Sequence, residues 1–396
     1  MEQLLNLRNF SSQVSNLAEP EFFKDYRKDC FEKIKLAPEI SFRYGLNILI
    51  KPRDFNIDKI NPRFDCKIYK EISQDNKVKI YSGNLYLEGL EENDMEILGL
   101  LLSEEWDEDY INLDYFNQAY TNDILFIKIP RNIELDKPIV IDYNYLESTL
   151  SNIFIYAEEN TKAQIFLSKS SDNKDLYISD TIRMIAKENS KIEIITLQNL
   201  DKRIFNIQNR KAFCNKDSYV QIVDVILGSN YTKSSVVTRL EESGAVVKNI
   251  VLYLLSDEQI FDLYTSSVHG ASNTSSNILT KGVLNKESKA LSRGLVKIEK
   301  NAFGSNGYEK QEALLLSDKA VAYAIPNLEI KNHDVKCSHG SSIGQLDENK
   351  VFYLMSRGLN KTQAQKKIIE GYFIPIINVL NDNIKNKIYE SIEKKL

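Results

Sequence analysis

Histidine and cysteine, the side chains that most often ligate transition metals, are scarce in this sequence. It contains 3 histidines and 4 cysteines in 396 residues. The P-loop, the GxSxG elbow and the HExxH zinc motif are missing, so the chain lacks the apparatus of a P-loop ATPase, an α/β-hydrolase or a zincin. The cysteines form no CxxC pair, which argues against a disulfide framework and favours a reduced compartment.

Long apolar runs and a basic excess are missing as well. No run approaches the ~20 residues of a membrane span. The N-terminal stretch carries acids and no apolar core, so we expect no secretory signal. The net charge of −5 makes nucleic acid an unexpected partner. With 42% apolar residues, the composition predicts a cytoplasmic protein with an ample core.

The pattern of apolar and polar residues divides the chain into three regions. Residues 1–136 are read as helical up to about residue 36 and mixed thereafter. In residues 137–344, short β-rich runs such as 153–156 and 219–223 alternate with polar turns, without a crossover helix. Residues 345–396 return to helical spacing. Evenly spaced short strands indicate a sandwich, a barrel or a β-solenoid, and no sharp repeat selects one of them.

The C-terminal region contains several signals for helix ends. Asp347 can cap a first helix, which Gly358 would end. Asn360 and Gln363 have the spacing of a capping box for a second helix. Pro375 is predicted to break or restart that helix.

The last helix carries a narrow apolar stripe at four-residue steps, formed by Leu380, Ile384, Ile388 and Ile392. Such a stripe either packs on its own domain or docks a partner. Spacing alone favours packing within the chain.

The side chains best suited to binding a metal are concentrated in residues 312–346, EALLLSDKAVAYAIPNLEIKNHDVKCSHGSSIGQL. This segment holds His333, His339 and Cys337. Alternate side chains of an extended chain share a face, so the Cys337 thiol and the His339 imidazole are expected side by side, at a strand end before a turn at Gly340. Two ligands are fewer than the four of a structural zinc site, so as a zinc motif the pair is weak.

The remaining histidines and cysteines have structural interpretations. His333 is predicted to be a solvated turn residue, and His269 a turn or interface residue. The acidic run 104–109 is read as the exposed start of a helix. Three cysteines are interpreted as buried filler: Cys30, Cys66 and Cys214.

The string from LLLSDKA through PNLEI, DVKCSHG and IGQLDENKVFYLMSRGL to IIEGYF resembles the SufB/SufD family of iron–sulfur cluster assembly scaffolds of the SUF system. Residues 19–23, EPEFF, followed by a charged helix, are similar to the SufD branch. The resemblance implies a right-handed parallel β-helix flanked by helical regions, in which each coil buries its inward side chains against its neighbours.

The resemblance also implies roles for single residues. His339 lies where the family's shared histidine falls, and Cys337 lies at the cysteine typical of the SufD branch. SufB-type chains show Glu-His-Glu here, whereas this chain has Ser338 and Gly340 in place of the two acids. They also carry a cysteine where this chain has Ala320. The departures indicate a SufD-like chain, with Cys337 and His339 as cluster-assembly and metal residues shared with a partner.

The function implied by the resemblance is that of a scaffold subunit and not an enzyme. The chain would pair with a SufB-like subunit through Asn327 to Gly340 in the last β-helix strands, with a nascent iron–sulfur cluster at the interface. The C-terminal helices would hold a SufC-like ABC ATPase. The sequence does not decide whether the chain binds a flavin. Two alternatives remain, a homodimeric scaffold that binds a cluster itself and a β-solenoid that binds or cleaves a glycan.

Overall fold

The computed structural model describes residues 10–36, 64, 69–73, 75–83, 87–103, 111–171 and 175–395. Within these ranges two nine-stranded sheets form a β-solenoid of about eight turns, with helices at both ends. The prediction of a mainly β solenoid with flanking helical regions is therefore confirmed. The N-terminal stretch that the sequence predicts to be helical contains helices in its described part.

Successive strands alternate between the two sheets. The first sheet contains, in order, β1 (Tyr69–Ile72), β4 (Ile139–Tyr145), β6 (Lys162–Ser171), β8 (Lys191–Asn199), β10 (Tyr219–Ile226), β12 (Val246–Leu255), β14 (Ser275–Leu284), β16 (Asn306–Leu315) and β18 (Lys336–Gln345). The second contains β2 (Lys79–Gly83), β3 (Asp123–Ile129), β5 (Thr149–Ala157), β7 (Tyr177–Ala186), β9 (Phe205–Cys214), β11 (Tyr231–Leu240), β13 (Ile260–His269), β15 (Lys289–Ile298) and β17 (Val321–Ile330). Among the described strands, β1 pairs antiparallel with β4 and β2 pairs antiparallel with β3, whereas the other neighbours are parallel.

Helices lie on the outside of the sheets. Those before the main solenoid are α1 (Phe10–Ser15), α2 (Glu21–Leu36), α3 (Glu92–Ser103) and α4 (Ile111–Ala119). Those after it are α5 (Glu348–Ser356), α6 (Lys361–Ile377) and α7 (Asp382–Lys395). Within the described residues, none of these helices is long and apolar enough to cross a lipid bilayer.

The strands form because inward and outward side chains alternate along them, which is the pattern of a pleated chain buried on one face. In β8 the inward Ile192 and Ile194 are buried, and in register with them lie Val220 and Ile222 of β10. Each coil thus places its apolar side chains on those of the preceding coil. The result is one continuous core between the two sheets.

One corner of the solenoid is built from residues in the left-handed backbone region. They are Asn132, Asn160, Asn189, Asp217, Gly244, Asn273 and Gly304. Asparagine and aspartate tolerate this conformation better than other side chains, and glycine adopts it freely. The amide of Asn160 donates to Asn132 over 3.0 Å, and the amide of Asn189 donates to Asn160 over 2.8 Å. This ladder ties consecutive coils together at their turn.

Charged side chains are buried inside the solenoid and are paired there. Lys169 Nζ and Arg210 Nη1 each lie 2.6 Å from a carboxylate oxygen of Asp180, and Arg210 Nε lies 3.3 Å from Asp224. Burial by itself would raise the pKa of Asp180, but Arg210 and Lys169 outweigh it and hold the pKa below its ordinary value. The pairing is what makes a charged interior tolerable.

A second buried charge centre attaches α4 to the outer face of the second sheet. Asp114 accepts from Lys211 Nζ over 2.7 Å and lies 3.3 Å from Arg183 Nη2. Thr181 Oγ1 donates to the same carboxylate over 3.2 Å. Burial opposes ionisation, but Lys211 and Arg183 hold the pKa of Asp114 below its ordinary value. Asp114 thus ties α4 to two neighbouring strands, β7 and β9.

The predicted helix ends after the solenoid are confirmed. The side chain of Asp347 accepts from the backbone N–H of Asn349 and caps α5, and Gly358 follows that helix with φ +99°. Asn360 and Gln363 form a complete capping box at the start of α6, with both hydrogen bonds at 2.9 Å.

The prediction that Pro375 breaks or restarts the helix is wrong, because α6 continues through it to Ile377. Proline removes a single N–H near the helix end, and Phe373 and Ile376 are buried on the same helix. Lys281 Nζ lies 4.6 Å from the centre of the Tyr372 ring and donates to the backbone carbonyl oxygen of Tyr372 over 3.4 Å. Packing on the sheet therefore holds the turn that contains the proline.

The apolar stripe of α7 packs within the chain. Ile384, Ile388 and Ile392 are buried in one cluster with outward side chains of the first sheet, such as Leu197 and Val225. This outcome agrees with what spacing alone favours. Two further predictions, the acidic run 104–109 and Cys66, lie outside the described residues.

We expect Asp114→Asn to lower the free energy of unfolding by about 3 kcal/mol, because the buried Lys211 and Arg183 would lose the carboxylate charge that they contact. Urea unfolding followed by circular dichroism measures the change. The exposed Asp136→Asn is the control and should shift stability by less than about 0.5 kcal/mol. Equal stability of the two variants would contradict the role given to Asp114.

Candidate functional site at the open end of the solenoid

The last two strands leave one end of the solenoid open. β17 pairs with β15 and β18 pairs with β16, and each stands last in its sheet. In the described part of the chain no strand covers their outer edges. Both strands are 10 residues long, so each presents a long row of unpaired backbone donors and acceptors. This end is therefore a place where another chain can add to the sheets.

Cys337 and His339 are the second and fourth residues of β18 and lie on the same face of it. The expected turn at Gly340 is wrong, since β18 continues through Gly340 to Gln345. A glycine fits within this strand because position 340 lies in register with Lys310 and completes the parallel ladder. The two side chains therefore stand near the start of the terminal strand and not at its end.

Cys337 lies partly inside the last coil. It packs with Val335 and Leu328 against the buried Val296. A methyl group at position 307 would crowd its Sγ atom, so Gly307 leaves the room that the thiol occupies. Burial raises the pKa of the Cys337 thiol, although the backbone N–H of Gly307 partly offsets the effect. The thiol of the isolated chain is thus less ionised than an ordinary cysteine at neutral pH.

His339 is exposed, and the residue in register with it is buried. That residue is Glu309, whose Oε1 atom accepts from Gln311 Nε2 over 2.6 Å. A side chain at position 294 would overlap the Glu309 carboxylate, so Gly294 on the facing sheet is what lets the acid reach across the interior. Burial raises the pKa of Glu309 to about 7.

The prediction that His269 is a turn or interface residue is wrong. It is the last residue of β13 and 0% exposed, and its ring nitrogens lie 2.7 and 2.8 Å from the hydroxyls of Thr274 and Ser276. Burial lowers its pKa to about 4, so the ring is neutral. The hydroxyls that satisfy both nitrogens explain why it can be buried.

Other predicted positions agree with the structure. His333 lies in an exposed bend, as expected for a solvated turn residue. Cys30 and Cys214 are buried. Burial raises the pKa of Cys30 to about 12 and that of Cys214 well above its ordinary value. Neither thiol is a nucleophile or a ligand in that state.

Within the described residues no three side chains of histidine, cysteine, aspartate and glutamate are grouped so that they could hold a metal ion. One cavity of about 300 Å³ is lined by residues such as Glu134, Lys162 and Asn381 and by no residue of β17 or β18. This cavity is therefore separate from Cys337 and His339.

Comparison with known sequences decides the family. The family model described as "SUF system FeS cluster assembly, SufBD core domain" matches residues 141–372, which is more than half of the chain. The chain belongs to the SufBD family. The match runs from β4 into α6 and includes Glu309, Cys337 and His339.

Curated relatives indicate the branch. The chain is 26% identical over 292 residues to the iron-sulfur cluster assembly protein SufD of Bacillus subtilis, which covers 72% of this chain and 67% of that protein. It is 24% identical over 270 residues to a SufBD family protein of Staphylococcus epidermidis, covering 67% of this chain and 58% of the relative. A Mycobacterium leprae SufBD family protein is 27% identical over 266 residues, covering 64% of this chain and 30% of the relative. This member of the SufBD family is SufD-like.

Sequence reasoning missed Glu309 and the glycines that make room around it. Glu309 lies between Tyr308 and Lys310, so its surroundings resemble a charged surface strand. The signal was the alternation Gly307, Glu309, Gln311, which has the same phase as Cys337 and His339. Knowledge of the register between the last coils was needed to use it.

In this SufBD protein we expect iodoacetamide to modify Cys337 at least about tenfold faster than Cys30 or Cys214 under native conditions, because reaction requires an accessible thiolate. Peptide mass spectrometry after timed quenching gives the three rates. The Cys337 rate should still be rising at a pH where an ordinary cysteine is already ionised, since burial raises the pKa of that thiol. Equal rates for the three thiols in the folded chain would contradict the burial described here.

Proposed function

We propose that this SufD-like chain is a scaffold subunit that pairs with a SufB-like subunit and builds a nascent iron–sulfur cluster at the interface. The observation that carries the proposal is the incomplete donor set at an open sheet end. Cys337 and His339 stand on the terminal strand, and no described cysteine, histidine or acid forms a metal-holding group of three with these two side chains. A partner that covers this end would bring the remaining ligands.

The geometry of β17 and β18 supports a partner that adds through its own strands. Edge strands pair readily with strands of another chain. Apolar side chains on this end are exposed, among them Tyr323, Ile330 and Ile343. Continuation of the two sheets into a second solenoid would bury them. The interface would thus contain the predicted segment from Asn327 to Gly340.

Cys337 and His339 suit a cluster that the protein builds and then transfers. Thiolates are the preferred ligands of iron–sulfur clusters, and histidine can replace them. One thiol and one imidazole from this subunit would hold the cluster incompletely, so that it can leave for a recipient protein. Cys337 must remain a free thiol for this role, which places the protein in a reducing compartment such as the cytoplasm.

The C-terminal helices offer a second surface, which we assign to a SufC-like ATPase. The stripe of α7 is buried, so it is not the docking face. The free apolar side chains lie on and beside α5 and α6, where Phe352 is 73% exposed, Tyr353 57% and Val379 75%. Exposed aromatic residues of this kind are typical anchors of protein interfaces. Closure of two such ATPases would then move the subunits that carry the cluster.

Anaerobic reconstitution with Fe²⁺ and sulfide tests the main proposal. We expect a cluster absorption band from the complex with the SufB-like partner and none from this chain alone. His339→Ala should abolish the band without changing the thermal unfolding of the subunit, because His339 is exposed.

His333→Ala is the matched control, since it removes an exposed histidine only six positions away in the chain. It should leave cluster formation at the wild-type level. A cluster on the isolated chain would favour the homodimeric scaffold instead. Wild-type assembly by His339→Ala in the complex would exclude the interface site.

Phe352→Ala tests the ATPase surface. Loss of an exposed aromatic anchor should raise the Kd for the SufC-like ATPase by about tenfold. Surface plasmon resonance with the immobilised ATPase measures it. Tyr308→Ala removes an exposed aromatic residue of β16 and serves as the control. The same Kd for both variants would place the ATPase elsewhere.

A further inference from the structure

The interior layer directly beneath β18 contains two buried acceptor atoms without a donor in normal hydrogen-bond geometry. Glu309 and Gln311 lie on β16 in register with His339 and Ser341, and they are 0% and 1% exposed. Gln311 Nε2 donates to Glu309 Oε1. Glu309 Oε2 and Gln311 Oε1 have no partner with normal hydrogen-bond geometry among the described residues, although the backbone N–H of Asn327 faces the Glu309 carboxylate and lowers its pKa. Buried polar atoms are normally satisfied, and Glu309 Oε2 is the one carboxylate oxygen among the unsatisfied buried atoms of the described residues.

Glu309 differs from the other buried carboxylates of the described chain. Seven of them have a lysine or arginine within ion-pair distance: Glu19, Asp94, Asp114, Asp123, Asp180, Asp224 and Asp262. No described lysine or arginine forms an ion pair with Glu309, whose hydrogen-bonded side-chain partner is a neutral amide. A fold that matches every other buried acid with a cation leaves this one at the open end unmatched.

The space at this position admits a small ligand only. The free oxygens are enclosed, so a side chain from another protein could not reach them without opening the coil. A monatomic cation is small enough, and it would compensate the Glu309 charge. His339 is in register with Glu309 on the next strand, and its imidazole would supply a nitrogen donor. A carboxylate oxygen, an amide oxygen and an imidazole nitrogen are a donor set of first-row divalent metals.

We propose that Glu309, Gln311 and His339 bind one divalent first-row metal ion beneath the terminal strand, with water in the remaining positions. This site rests on the proposed function in one respect. If that function is correct, the bound ion is Fe²⁺ that awaits sulfide. Cys337, two residues from His339, would then receive the iron as sulfide arrives. The site requires glycine at position 294, because any larger residue there would displace the Glu309 carboxylate.

Mn²⁺ is the probe, used with the full-length chain without sulfide, iron or partner. Electron paramagnetic resonance follows the signal of free Mn²⁺, which falls as the ion binds. We expect one ion per chain. Glu309→Gln keeps the shape of the side chain and should lower the affinity at least about tenfold, because it removes the charged ligand. His339→Ala should lower it as well.

Glu312→Gln is the matched control. It lies on the same strand but faces outward, where it pairs with Lys281 and Lys310. Its Mn²⁺ affinity should equal that of the wild type. If the wild type binds no Mn²⁺, or if Glu309→Gln and Glu312→Gln bind alike, the site is overturned. His339 is exposed, so its variant decides the question even if Glu309→Gln fails to fold.

The two proposals fail separately. Mn²⁺ binding that depends on Glu309, without cluster formation in the complex, would overturn the proposed function and leave the cation site standing. Cluster formation in the complex by a chain that binds no Mn²⁺ would overturn the cation site alone.

Discussion

In-register parallel stacking is the constraint on which this structure depends. Each inward side chain lies directly on the residue at the same position of the neighbouring coil. Stacked side chains must therefore be able to pack together, if apolar, or to form a hydrogen bond or ion pair, if polar. Ile194 on Ile222 satisfies this rule by apolar contact, and Asp180 satisfies it by pairing with Lys169 and Arg210. A mismatch cannot be relieved by shifting one strand, because a shift would move every side chain of that coil.

The same rule explains what the sequence predicted and what it did not. Short β runs and helix caps are local signals, so the solenoid strands, the Asp347 cap and the capping box at Asn360 could be read directly. The coil length was not visible, because the step between coils varies. Along the second sheet it is 29 residues from Tyr231 to Ile260, whereas along the first it is 31 from Ser275 to Asn306. Corners of variable length hide the period from the sequence.

The failed predictions share a cause, which is tertiary contact that local sequence does not encode. Pro375 stays helical because its neighbours pack on the first sheet, and His269 is buried because two hydroxyls satisfy its ring. Gly340 remains in a strand because the preceding coil supplies its partner. The candidate site shows the same limit. Cys337 and His339 were identified by motif, whereas Glu309 became visible only through the register of β16 with β18.

The composition of the terminal strands has a consequence for the behaviour of the chain while this end is open. An open solenoid end is a template on which identical copies could stack into a fibre. β18 contains glycine or serine at half of its 10 positions, and β17 contains Pro326, which removes one N–H donor from the edge. Both features make the edge a poor seed for aggregation. The open end is therefore poorly suited to stacking identical copies into a fibre.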